Sequence, residues 1–529
     1  MRPPSRSSPL LTPPQPQKFK AFSQQDATAP QRRPVARQLP RGCFAPLLAV
    51  VFLSYQLVNA VPGVELAGAV VPRTRSWRER SRTPTSRYAN RPRRQPSSTR
   101  GIMTWTQRLQ SDDISPWLIQ ALSEGLLDDA EPSVIFHDLV DLRARVQEIH
   151  RAFPDGTLHA IAIKANPVLE ILRTVVEAGS GLEAASMEEV ELALAAGCRP
   201  ERIVFDSPAK SRADIKRSLE LGVHLNADNL DEIDRIDEFS PQLREGSTIG
   251  LRINPSVAEG KIATTSTGGK RSRFGLRMPH DKAGIAEFAK KLSSYSWLHA
   301  LHVHVGSQGC DLTTLVPAGV RALALAHAID AAAGERRIHT IDIGGGLPTR
   351  YRAEDVKITP AEYVAAIQRA APALLEYQLV TEFGRSVQAP CGFAATRVEY
   401  VKDLAGETMV VGHIGADLAL RVAYRPQDWW LDITVYDASG QPKPLVDLRP
   451  THVAGPLCFS GDFLARDRML PDVEAGDILV FHDTGAYTMG MWSRHCSRGM
   501  PRVVGIEADG SFRTLRKRES TQDMVAFWS

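Results

Sequence analysis

Cysteine is scarce in this 529-residue chain. The six present, Cys43, Cys198, Cys310, Cys391, Cys458 and Cys496, are scattered and form no CxxC pair. That excludes a disulfide framework or a zinc cluster and fits a reducing compartment. Acid is scarce in the first 102 residues, which carry 18 Lys/Arg against 3 Asp/Glu, while the rest carries 46 against 57. The formal net charge of +4 therefore hides a mildly acidic body with no basic bias toward nucleic acid. One apolar run interrupts the basic segment, "CFAPLLAVVFLSYQLV" from Cys43 to Val58. At about 16 residues it is short for a stable membrane span and closer to a signal core. No repeat of 20–50 residues is present beyond a strand–helix rhythm, which sets solenoids aside.

Residues 1–102 are rich in Pro, Arg, Ser and Gln and are excluded from fold reasoning as a disordered or targeting extension. "VNA", Val58–Ala60, resembles a small-residue cleavage site, and the basic, Ser/Thr-rich stretch after it resembles a transit peptide. Signal-like and then transit-like segments suggest a two-step plastid import address. The alternative is translation from Met103 and a cytoplasmic protein.

Beyond Pro132 the pattern alternates. A short strand at Val134–His137 precedes the amphipathic helix "LVDLRARVQEIHRAF". Apolar runs then end near Ile163, Glu183, Phe205, Asn226, Ile253, His304, Asp342 and Glu382, with mostly helical sequence between them. "SMEEVELALAAG" shows the helical signals: Ser186 at the N-cap, Glu189 at the capping-box position and Gly197 at the C-terminus. Eight βα units predict an α/β fold of the TIM (β/α)8 barrel type over 103–385, with an open doubly wound sheet as the competing layout. Past residue 386, Val-, Thr-, Tyr- and Ile-rich runs separated by turns such as "ASGQ" and "EAGD" predict a mainly antiparallel β domain over 386–529.

In a barrel, chemistry collects at the C-terminal ends of the strands, and the unusual residues fall there. Lys164 closes the buried run "HAIAIK". An ammonium at such a place must reach water, find a counter-charge or give up its proton, and a lysine with a lowered pKa forms Schiff bases with aldehydes. Glu183 ends the second strand and His304 the sixth. The seventh ends in Gly344, Gly345 and Gly346, which would let backbone N–H groups approach an anion. The eighth ends in Glu382 and Arg385. Each has an ordinary reading as a snorkelling lysine, a core histidine, a turn or an ion pair. Together they are the parts that hold pyridoxal phosphate: an imine-forming lysine, a stacking ring, a phosphate cradle and a carboxylate for the pyridine nitrogen.

The motifs "AIKANP", "LEAASMEEVELALAAG", "PAKS", "HVHVGSQ", "DIGGGLP", "EFGR", "CFSGDFLARD" and "DTGAYT" resemble, in order, those of the pyridoxal-phosphate ornithine/diaminopimelate/arginine decarboxylases. The diaminopimelate branch is the closest in look. The resemblance covers roughly residues 130–510 and implies pyridoxal 5'-phosphate as cofactor, an amino acid as substrate, and a homodimer with interfacial active sites. It implies that Lys164 carries the cofactor, with Glu183 beside it, and that His304 stacks on the ring. It places Ser307, the three glycines, Arg385 and Tyr487 around the phosphate and pairs Glu382 with the pyridine nitrogen. Cys458 would assist protonation from the partner subunit. Arg385, Arg421, Tyr424, Phe459 and Tyr487 would line the substrate.

The sequence departs from that family at three places. Phe383 replaces a usual proline. Tyr424 follows Arg421 by three residues where four are expected. Phe459 follows Cys458 where relatives carry an acid for the distal amine, and a phenyl ring cannot pair with an ammonium. Distal-group recognition is therefore expected to have changed. Two further readings are an alanine-racemase-like enzyme, which lacks support because the cysteine motif of the decarboxylases is present, and a non-catalytic decarboxylase-like regulator.

Overall fold

The computed structural model describes residues 103–529 apart from 241–243, 245 and 258–259. The import signal and extension expected within residues 1–102 lie outside the described residues.

The first strand, β1 (Ser133–Asp138), runs straight into the helix Leu139–Ala152. Asp138 caps that helix, its carboxylate accepting from the Val140 and Asp141 amides at 2.9 and 3.0 Å. Nine strands follow: β2 (Leu158–Ala162), β3 (Gly181–Ala184), β4 (Ile203–Asp206), β5 (His224–Ala227), β6 (Ile249–Asn254), the two-residue β7 (Leu276–Arg277), β8 (Ala300–His302), β9 (Thr340–Asp342) and β10 (Gln378–Thr381). Their pairings are all parallel, and the order β5-β4-β3-β2-β10-β9-β8-β6 closes on itself through β5–β6. An open sheet would leave two edges here, so the doubly wound alternative is excluded and the molecule contains an eight-stranded parallel barrel, with β7 an extension of β6. The eight barrel strands are short and, past the first residues of β2 and β10, buried, as parallel strands covered on both faces must be.

The intervening helices obey their caps. Ser186 accepts from the Glu189 amide at 3.2 Å, and Glu189 accepts from the Ala185 amide at 2.7 Å, one residue earlier than a capping box requires. The helix Leu312–Ala333 is long and apolar enough to cross a membrane. Its Leu315, Ala318, Ala322, Leu325, Ala326 and Ile329 are instead buried in the protein core.

A second sheet holds β11 (Gly392–Leu404), β12 (Glu407–Gly412), β13 (Ile433–Tyr436), β14 (Arg449–Ala454), β15 (Phe463–Leu470), β16 (Ile478–Phe481), β17 (Arg502–Ile506) and β18 (Phe512–Arg516). Its order is β15-β14-β12-β11-β1-β17-β18, with β16 on β11 and β13 on β16. Most pairs are antiparallel; β12–β14 and β1–β17 are parallel. The expected assignment of residues 103–138 to the barrel domain is thereby corrected. β1 belongs to this sheet, antiparallel to β11 and parallel to β17. The helix Ser111–Ser123 joins it, burying Ile114, Leu118 and Ala121 in one core with Phe136 and Phe393. The chain starts the β domain, builds the barrel, and returns to finish the sheet around its first strand.

Candidate active site

β2 ends at Ala162, and Lys164 stands on a single 3-10 turn just beyond it, Ile163–Ala165. That turn is fastened to the β domain: the Tyr487 amide donates to Ala165 O at 2.8 Å, and Asn166 Nδ2 donates to Gly485 O at 3.0 Å. Tyr487 has φ +57, a left-handed conformation costly for a bulky aromatic and frequent at functional sites. Lys164 Nζ lies 2.5 Å from both carboxylate oxygens of fully buried Glu183 on β3. Burial pulls the lysine down, but Glu183 and then Glu382 outweigh it, so the ammonium is held charged. Of the three outcomes open to such a lysine, the structure shows the counter-charge, because the fold brings β3's glutamate against it.

His304 follows β8. Its Nδ1 accepts from the Gly345 amide at 3.0 Å and lies 3.6 Å from Glu382 Oε2. Burial pushes it down to about 3, so the ring is neutral, with its proton on Nε2 and its face free of charge. The glycines are required by close approach. A Cβ on Gly344 would sit 2.5 Å from Val303 O, one on Gly345 2.5 Å from Glu382 O, and Gly346 has φ +117. They do not form the three-amide cradle expected from sequence. The Gly344 amide already donates to Asp342 Oδ1 at 2.8 Å and the Gly345 amide to His304, which leaves Gly346 N–H as the amide of the three without such a partner among the described residues.

Glu382 follows β10 and is 4% exposed. Burial pushes its carboxyl up, but His302 and Lys164 reverse this and hold it at about 2. Its Oε1 is buried with no hydrogen-bond partner. Arg385, 3% exposed, donates to Ser307 Oγ from Nε and Nη2, both at 3.2 Å, and to the Tyr351 hydroxyl at 2.9 Å. Its guanidinium stacks over Tyr487 at 4.1 Å and Trp429 at 4.8 Å. Arg421 stacks on the same two rings at 4.8 and 4.7 Å, and its Nη1 is buried without a partner. Burial and then Arg385 lower Arg421. Among the described residues neither guanidinium has a carboxylate at ion-pair distance. Two cations side by side without counter-ions are costly until an anion arrives.

These features fit pyridoxal phosphate. The orphaned Glu382 Oε1 suits a protonated ring nitrogen, the neutral His304 face suits a stacked ring, and the unpaired arginines with Ser307 suit the phosphate and a carboxylate.

The structure gathers Lys164, Glu183, His304, Ser307, Gly344–Gly346, Glu382, Arg385, Arg421 and Tyr487 at one rim, but not Cys458, Phe459 and Tyr424. Cys458 is exposed. Phe459 stacks on Tyr424, centroids 5.3 Å apart and planes at 15°, and meets His495 edge-on at 6.2 Å. Asp462 holds their loop, accepting from the Leu457 and Ala416 amides at 2.7 and 2.6 Å. Sequence reasoning missed four buried groups beneath the rim: Asp206, Arg252, His302 and Asp342. Two signals were available. "HVH" places His302 and His304 on one face of a strand, and Asp206 and Asp342 both close strands.

A rim so equipped, at the mouth of a closed parallel barrel with a β domain locked to it, defines a pyridoxal-phosphate enzyme of the barrel class. Residues 139–389 match the family model described as pyridoxal-dependent decarboxylase, pyridoxal binding domain. The diaminopimelate decarboxylase of Pseudomonas aeruginosa is 32% identical over 393 residues, covering 73% of this chain and 90% of that protein; its Pseudomonas fluorescens counterpart is 33% identical over 395 residues, covering 73% and 90%. The solved structure of diaminopimelate decarboxylase from Helicobacter pylori complexed with L-lysine superposes with a TM-score of 0.68 at 28% identity, covering 77% of this chain and 99% of that one. The chain belongs to the pyridoxal-dependent decarboxylase family; its cofactor is pyridoxal 5'-phosphate and its reaction class is that of a carboxy-lyase.

Proposed function

We propose that this protein removes the α-carboxyl group of meso-diaminopimelate, releasing CO₂ and lysine. The observation that carries this reading is the pair Arg385 and Arg421, two guanidiniums without a carboxylate at ion-pair distance among the described residues, on the rim that also holds Lys164 and the unpaired Glu382 oxygen. When bound, pyridoxal phosphate supplies a sink for the electron pair left at Cα as CO₂ departs. The chain's residues do the rest. Lys164 Nζ is the attachment point, and Glu183, 2.5 Å away, takes its proton as the ammonium becomes nucleophilic. His304 would cover one ring face, and Glu382 Oε1 would pair with the ring nitrogen. Ser307, Arg385, Gly346 N–H and Tyr487 would hold the phosphate, and Arg421 would hold a substrate carboxylate.

Cys458 is exposed, and the half-buried Phe459 beside it packs on Tyr424 and His495 rather than among the Lys164 group, which supports a homodimer in which a second copy delivers the Cys458 thiol to reprotonate Cα. The basic extension before residue 103 is read as a plastid import address. Measuring CO₂ release from meso-diaminopimelate, with ornithine, arginine and lysine as comparators, tests the reading. Preferred turnover of meso-diaminopimelate supports it, and turnover of another amino acid alone overturns it.

A second reading keeps the reaction and changes the substrate's far end. The stack of Phe459 on Tyr424 presents aromatic faces where the family resemblance implies an acid, and favours a substrate without a distal ammonium.

A further inference from the structure

We propose that His302 is a positioning residue that ties Glu382 to Asp206 and so fixes the orientation and charge of the carboxylate facing the pyridine nitrogen; this rests on the reading of Glu382 given above.

His302 ends β8 and is 0% exposed. Its two nitrogens face two carboxylates: Nδ1 lies 3.5 Å from Asp206 Oδ1, and Nε2 lies 3.5 Å from Glu382 Oε2. A neutral imidazole has one N–H, and would aim a lone pair at one of these anions whichever tautomer it took. At 3.5 Å neither nitrogen is hydrogen-bonded, so the link is one of charge, and only the imidazolium is attracted to both carboxylates. The chain of charges continues past it, since Asp206 Oδ2 pairs with Arg252 Nη1, and that guanidinium stacks on Phe274 at 4.5 Å. Arg252, Asp206, His302 and Glu382 thus alternate in sign across the barrel interior from β6 through β4 and β8 to the end of β10. The other titratable groups facing His302 are Asp342, which burial and Glu382 keep protonated, His224, which burial keeps neutral, and His304. His302 stands between the two carboxylates Asp206 and Glu382, with Arg252 beyond Asp206 and Lys164 beyond Glu382. Remove the His302 charge and both buried carboxylates lose the cation that lies between them.

This arrangement divides the labour of Glu382. Oε2 lies at ion-pair distance from His302 Nε2, while Oε1 is buried without a hydrogen-bond partner and is left for the ring nitrogen. A neutral residue at 302 would let the carboxylate rotate or take up a proton, and either change withdraws the anion that keeps a pyridine nitrogen protonated.

The test uses pyridoxal-phosphate-loaded protein and the variants His302→Gln, Glu382→Gln, the double variant, and Asp206→Asn, which breaks the relay from its other end. Readouts are the visible absorption band of the bound cofactor against pH, cofactor affinity, and kcat and KM. His302→Gln is expected to displace the cofactor band in the direction that Glu382→Gln does and to lower kcat about ten- to a hundredfold with KM little changed. The double variant is expected to be no worse than Glu382→Gln alone, because the two act as a unit. Asp206→Asn should shift the band the same way by less, and it carries the test should His302→Gln be insoluble. A wild-type band and kcat in His302→Gln, or full additivity in the double variant, overturns the proposal. An unchanged band in Glu382→Gln overturns the reading of Glu382 itself, and so is told apart from a failure of His302.

Discussion

Replacing Arg421 with methionine makes two effects move in opposite directions. The guanidinium of Arg421 shares Tyr487 and Trp429 with Arg385, and its Nη1 is buried without a partner. In the ligand-free protein it therefore bears a desolvation cost and a like-charge repulsion with no compensating anion. Methionine fills much the same volume and keeps contact with the rings. Arg421 is only half-buried, so the gain is modest, about 1 kcal/mol of stability, read as a rise of about 1 °C in thermal midpoint. With substrate the sign reverses. Losing a charged partner for a desolvated carboxylate costs about 2–4 kcal/mol, which is about a 30- to 1,000-fold fall in kcat/KM. The assay pairs differential scanning fluorimetry of cofactor-free protein with steady-state CO₂ release. Lower ligand-free stability with unchanged kcat/KM would refute the view of Arg421 as a cation awaiting an anion.

His137 on β1 is fully buried with neither ring nitrogen bonded, and burial pushes it down to about 3. Below about pH 6.5 the unfolded chain binds a proton that the folded chain refuses, so this residue's contribution falls with pH toward 3, by about 2 kcal/mol at pH 5. His137→Phe should therefore stabilise the protein more at pH 5 than at pH 8 in urea titrations, and an equal effect at both would contradict this. Gly345→Ala puts a methyl 2.5 Å from Glu382 O and should weaken cofactor binding at least tenfold, measured by absorbance titration; wild-type affinity would show that the backbone has slack there. Phe459→Glu should raise kcat/KM for meso-diaminopimelate about tenfold or more if the aromatic pair excludes a distal ammonium, and an unchanged value returns Phe459 to a packing role.

Much of the barrel was legible because eight apolar runs ended in punctuation at a regular pitch, and a parallel barrel exposes its unusual residues at those ends. β1 was legible as a strand, but its pattern does not say which sheet it joins, since a strand buried on both faces reads alike in either. Its place between β11 and β17 depends on partners more than 250 residues away. The charge state of Lys164 was not legible, because it turns on Glu183 from a different strand being wholly buried against it. The glycine triplet was read as anion-binding amides, yet two of its three N–H groups serve Asp342 and His304. The relay through His302 escaped because single strands carry its members one each, and only closure of the barrel sets them side by side.

Every role assigned at the rim follows from Lys164 being the residue that holds the cofactor. Borohydride reduction of the cofactor-loaded protein, followed by peptide mapping, reads this directly. It predicts one pyridoxyl-modified peptide, modified at Lys164, and its loss in Lys164→Ala. Modification at another lysine, or none in protein that carries the cofactor's absorbance, would contradict it.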